Sequence, residues 1–137
     1  MIGLIYRAAD LLRRRTLAGD HGRIGEDMAY RYLRGRGCTV VARNYRARSG
    51  AGEIDLVAWD GGVLAFVEVK TRSSGDFGAP DAAVDEEKQR RIAIAAREYG
   101  RRAQVEDTRT RFDIVSVMLG NPLRIDWRRD AFHVRVI

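Results

Sequence analysis

The chain has 137 residues and a formal net charge of +6, with 25 Lys and Arg against 19 Asp and Glu. That length is one domain with a sizeable core, so folding needs no disulfide or metal staple. Cys38 stands alone, which rules out an internal disulfide; His21 and His133 are isolated, so neither a zinc cluster nor a Ser-His-Asp arrangement has support; and no apolar run approaches the roughly 20 residues of a bilayer span, so no membrane partner is expected.

A cytoplasmic setting is the expectation. The positive charge is compatible with a polyanionic partner, but the abundance of Arg, Ala and Gly also fits a coding bias that scatters arginine over ordinary surface. Against that background only Lys70 and Lys88 are lysine. A compact ammonium kept at two positions is more informative than any one guanidinium, because it is a point charge that sits beside a metal or a water.

Residues 2–15 suit a short helix, with Leu4, Ile5, Ala8, Leu11 and Leu12 on one side. Arg7 and Asp10 interrupt its apolar part, which is too short for a signal peptide. Residues 1–18 are taken as an N-terminal helical extension, either a packing helix or a basic arm, ahead of an α/β domain over 19–137. Residues 20–36 read as a helix carrying Ile24, Met28, Ala29, Tyr32 and Leu33 on one face. The strand "CTVVARNYRAR" and the turn "SGAG" follow, then a hairpin over Gly52 to Arg72, then the loop "SSGDFGAPD". Residues 82–102 form a second long helix, "RFDIVSVML" a strand covered on both sides, and "LRIDWRRDAF" a candidate edge strand after the turn at "NP". This order predicts a single α/β domain, a mixed β-sheet flanked by helices.

The hairpin "GEIDLVAWDGGVLAFVEVKTR" puts charge where a sheet wants apolar residues. Strand alternation gives Glu53, Asp55 and Val57 one face, and gives Phe66, Glu68, Lys70 and Arg72 one face. Turn length decides whether those faces coincide. A loop at Gly61-Gly62 pairs Asp60 with Val63 and sets Asp55 opposite Glu68; a loop at Asp60-Gly61 leaves them diagonal. Either register groups Asp55, Glu68 and Lys70. Opposed carboxylates repel, and Lys70 with a hard divalent cation, Mg²⁺ or Mn²⁺, would relieve them. The competing reading is a solvated face with Glu53–Lys70 and Glu68–Arg72 ion pairs. Glu26, at the edge of the apolar half of its helix, can reach over the sheet as a further ligand. Lys88, near the start of the second long helix, forms either an i,i+3 pair with Asp85 or, with Gln89 and Arg91, a group contacting a phosphate backbone.

An acid on a helix, then Asp, then Glu-x-Lys across a hairpin, resembles the restriction-endonuclease-like nuclease superfamily. The segments "GRIGEDMAYRYL", "GEIDLVAWDGGVLAFVEVKTR", "FGAPDAAVDEEKQRRIAIAAREY", "RFDIVSV" and "DWRRDAF" sharpen this to the YraN-like family of bacterial proteins, itself similar to archaeal Holliday junction resolvases. The resemblance runs from about Gly22 to Phe132. It implies a restriction-endonuclease-like fold and a metal-dependent DNA endonuclease centre. Glu26, Asp55 and Glu68 are its implied metal ligands, with the Val69 carbonyl, and Lys70 its water-positioning residue. Arg72, Lys88, Gln89 and Arg91 are the expected nucleic-acid contacts. Branched DNA is the implied substrate, and a two-fold dimer is expected if two strands are cut. The alternative is a nucleic-acid-binding module that keeps this fold without significant catalysis.

Overall fold

The computed structural model describes residues 22–73 and 84–134. The expected helix over 2–15, the 1–18 extension and most of the "SSGDFGAPD" loop lie outside the described residues. The elements run α1 (residues 22–35), β1 (Thr39–Arg46), β2 (Glu53–Asp60), β3 (Val63–Ser73), α2 (Glu86–Ala103), β4 (Thr110–Leu119) and β5 (Arg124–Phe132). The sheet order is β1-β2-β3-β4-β5. All neighbours are antiparallel except β3 and β4, which α2 joins as a parallel crossover. The chain is thus a single α/β domain with a mixed sheet, and "LRIDWRRDAF" supplies an edge strand.

Local chemistry sets the ends of these elements. Asp85 caps α2 by accepting the Lys88 N–H at 2.8 Å, which starts the helix later than the periodicity alone predicts. Glu86 and Glu87 in its first turn and Arg101 and Arg102 in its last complement the helix dipole. The hairpin turns at Gly61-Gly62 and pairs Asp60 with Val63, the first of the two expected registers. Gly61 has φ +59, a positive value at the first loop position that glycine adopts without strain.

The two helices cover opposite faces of the sheet. Ala29 and Leu33 of α1 pack on Leu56, Ala58, Ala65, Val67, Val115 and Val117. Ile92, Ala95 and Ala96 of α2 pack on Val57, Leu64, Phe66 and Ile114. Each buried aliphatic or aromatic side chain contributes roughly 1.5–3 kcal/mol over an exposed one. Ile54 departs from the expected alternation: it joins the α2-side cluster, whereas Leu56 and Ala58 face α1. The break falls where the β2–β3 ladder has stopped, since its last pair is Leu56 with Val67.

Two glycines let the helices approach that end of the sheet. A Cβ on Gly25 would lie 1.8 Å from Thr71 Oγ1, so α1 rests directly on the end of β3. A Cβ on Gly52 would lie 1.9 Å from the Arg91 carbonyl oxygen, so the β1–β2 loop abuts the α2 backbone. On β4, fully buried Asp113, in register with Val67, accepts from Arg111 Nε at 2.9 Å, Trp127 Nε1 at 3.0 Å and the Asp130 amide at 3.0 Å. Arg111 also reaches Asp60 at 2.6 Å, tying β2, β4 and β5 together.

Candidate active site

Where β2 and β3 part, a side chain takes over from the backbone ladder. Asp55 Oδ2 accepts the Val69 N–H at 2.8 Å, replacing the next inter-strand bond. The N–H and C=O of a strand residue face the same neighbour, so the Val69 carbonyl faces this gap too. Asp55 and Glu68 come within hydrogen-bond reach of each other. Glu68 is 4% exposed and half-buried Asp55 lies beside it. Burial, and then the facing Glu68 charge, push the Asp55 pKa up to about 8 despite the Val69 amide. Without a cation, Asp55 is therefore held in its protonated form at neutral pH, within hydrogen-bond reach of Glu68.

The expected site residues separate into groups. Lys70 is half-buried, two residues past Glu68 and beside Ser116 of β4. Lys88 comes from α2 into the site itself: its ammonium lies 2.5 Å from Glu68 Oε1. Only its backbone N–H meets Asp85, so its side chain does not form the i,i+3 pair considered from the sequence. Burial pulls the Lys88 pKa down, but the hydrogen bond and charge of Glu68 outweigh this and hold it above the ordinary lysine value. Gln89 donates to the Val84 carbonyl at 2.7 Å, which commits its amide to the start of α2. Arg91 is exposed and Arg72 half-buried. Glu53 is exposed and pairs with Arg46 at 3.3 Å, in place of the Lys70 partner considered from the sequence.

Glu26 approaches from α1, on the other face of the sheet. Burial raises its pKa, while a hydrogen bond from Asn44 and the charge of Arg43 oppose the rise. Its charge is felt at Asp55. Yet among the described residues no three Asp, Glu, His or Cys side chains converge as a metal-binding group. The structure thus brings Asp55 and Glu68 together and leaves Glu26 drawn toward Asn44.

The family model described as "Uncharacterised protein family UPF0102" matches residues 25–117. A UPF0102 protein of Solibacter usitatus is 67% identical over 132 residues, covering 96% of this chain and all of its own length. One from Rhodococcus opacus is 45% identical over 113 residues, covering 81% and 94% respectively. One from Dictyoglomus turgidum is 42% identical over 114 residues, covering 81% and 95%. The chain belongs to UPF0102. This is the YraN-like family that the sequence resembles. The matched UPF0102 region holds Glu26, Asp55, Glu68, Lys70 and Lys88, together with both close-packed glycines.

For this UPF0102 site, the donor chemistry of Asp55 and Glu68 fits a hard divalent cation. Asp55 is held protonated beside buried Glu68 there, so positive charge is in deficit. The fit rests on that pair, since Glu26 does not complete a three-carboxylate cluster. Two participants escaped the sequence. Lys88 as a direct Glu68 partner was flagged only by the rarity of lysine. Asn44, with φ 51 in a strand, carries no spacing signal at all.

Proposed function

We propose that the chain is a divalent-cation-dependent nuclease that hydrolyses DNA phosphodiester bonds. The supporting observation is the Asp55–Glu68 pair, placed where β2 and β3 part, with the Val69 amide on Asp55 and the Lys88 ammonium on Glu68. Asp55, Glu68 and the Val69 carbonyl would hold Mg²⁺ or Mn²⁺, with Glu26 acting directly or through water. When bound, such an ion acidifies water and neutralises charge on the scissile phosphate.

The chain's own residues carry the rest. The Val69 N–H fixes the orientation of Asp55. Lys70 would orient the attacking water and stabilise negative charge at the pentavalent phosphorus. Lys88 offsets the Glu68 charge and faces the space a phosphate would enter. Branched DNA is the proposed substrate class, on the resemblance to resolvases, and a two-fold dimer would place one centre on each strand. The lone, buried Cys38 fits a cytoplasmic setting.

One observation favours a second reading, a DNA-binding module without catalysis: Lys88 already occupies a Glu68 oxygen and no third carboxylate converges. Incubation with branched, flapped and linear DNA over a range of Mg²⁺ and Mn²⁺ separates the two. The nuclease reading expects cleavage by the wild type that is lost in Asp55→Ala and Lys70→Ala. Cleavage persisting in both variants sinks the site, and binding of all substrates without cleavage favours the module.

A further inference from the structure

Away from the carboxylate pair, the β1–β2 loop and the second half of α2 enclose a groove of about 510 Å³. Arg48, Arg97, Arg101 and Arg102 surround it, and Ala47 and exposed Ile94 form an apolar floor. Its one acid, Glu98, is already engaged. Glu98 accepts the Tyr45 hydroxyl at 2.6 Å and the Arg48 backbone N–H at 3.0 Å, which pins the loop to the helix. Those bonds hold its pKa below the ordinary carboxylate value, so it stays ionised. Among the described residues no ion pair engages Arg48, Arg101 or Arg102. Arg48, Arg101 and Arg102 thus leave the groove cationic around one carboxylate, whose oxygens are taken by neutral donors.

We infer that this groove binds the sugar–phosphate backbone of the nucleic acid whose scissile bond lies at Asp55–Glu68. The inference rests on the hydrolase reading for the direction of the strand, and on its own residues for the binding. Planar guanidinium forks match phosphate oxygens. An apolar floor beneath a cationic rim suits a sugar or base face above a charged backbone, a combination that an acidic peptide does not need. The groove also shares two elements with the site. Gly52 lies in the loop that runs from Arg48 into Asp55, and its close contact with the Arg91 carbonyl fixes that loop against α2. Along α2, Lys88 and Arg101 are roughly 20 Å apart at about 1.5 Å per residue. At about 3.4 Å of rise per nucleotide in a duplex strand, that distance covers about six nucleotides. Exposed Arg91 lies between them.

The test is fluorescence anisotropy with the full chain in EDTA on a duplex of about 20 base pairs, titrated across salt. Arg48→Ala/Arg101→Ala is expected to weaken binding by about tenfold or more at low salt. It should also lower the slope of log affinity against log salt by about two. Arg48→Lys/Arg101→Lys should keep most of that slope, and Arg101→Glu should weaken binding further than Arg101→Ala does. Unchanged affinity and slope in the alanine variant overturns the groove, as does equal competition by polyglutamate and unlabelled DNA of matched charge, or a wild type that binds no DNA at low salt. Hydrolysis in Mg²⁺ separates this from the hydrolase reading. Arginine-dependent binding without hydrolysis leaves the groove standing and removes the nuclease; hydrolysis indifferent to the arginines does the reverse.

Discussion

Replacing Asp55 by Asn separates the electrostatics of the carboxylate pair from its packing. The amide has the same shape, keeps an oxygen to accept the Val69 N–H, and sets no charge against Glu68. In the wild type, burial and Glu68 push Asp55 from an ordinary value of 3.8 up to about 8. Between those pH values the folded state holds a proton that the unfolded chain has released. Stability from this group is therefore complete below the unfolded pKa and is lost as pH rises through the folded one. At about 1.4 kcal/mol per unit, that interval sets a ceiling of about 5–6 kcal/mol. Relaxation around Glu68 and the nearby Lys88 charge bring the expected difference to about 2–4 kcal/mol. Urea denaturation of both proteins in EDTA, from about pH 5 to about pH 9, measures it, because titrating groups away from the Asp55–Glu68 pair cancel in the comparison. The variant should match the wild type at the acid end and exceed it at the alkaline end. Stability curves that stay parallel within about 0.5 kcal/mol refute the reasoning.

Lys88→Met leaves the nearly buried Glu68 without its cation, and should cost about 2–3 kcal/mol by urea denaturation at neutral pH. That loss should shrink in a Glu68→Gln background, as a double-mutant cycle requires. Gly52→Ala places a methyl 1.9 Å from the Arg91 carbonyl oxygen. It should lower the unfolding free energy by about 1–3 kcal/mol and weaken the Lys88–Glu68 coupling in the same cycle. Asp113→Asn removes the charge facing Arg111 in the buried network that joins β2, β4 and β5. Thermal denaturation should register about 3 kcal/mol of destabilisation, with cation affinity per folded molecule unchanged.

The hairpin was legible because a short-range rule, turn length, sets its register. The Gly61-Gly62 turn fixed Asp60 opposite Val63, the register that was expected to bring Asp55 to Glu68. The apolar stripes of α1 and α2 were legible for a similar reason, since a 3.6-residue period is local. A stripe says which side of a helix is buried but not which side of the sheet it meets. Glu26 was therefore expected over the acids, whereas α1 lies on the face opposite α2 and Asn44 and Arg43 attract its carboxylate. The reach of Lys88 to Glu68 depends on how closely α2 approaches, and that is set by Gly52 meeting the Arg91 carbonyl. Ile54 escaped because alternation holds only while a strand stays paired, and β2 leaves β3 after Leu56.

The central claim is that Asp55 and Glu68 form a cation-binding pair poised by the Asp55 proton. Calorimetric titration of the full chain with Mn²⁺ near pH 7, in two buffers of different ionisation enthalpy, tests it without reference to any substrate. The account predicts binding that displaces about one proton per ion, and loss of binding in both Asp55→Asn and Glu68→Gln. Binding with no proton release, or titrations of the two variants that match the wild type, would contradict it.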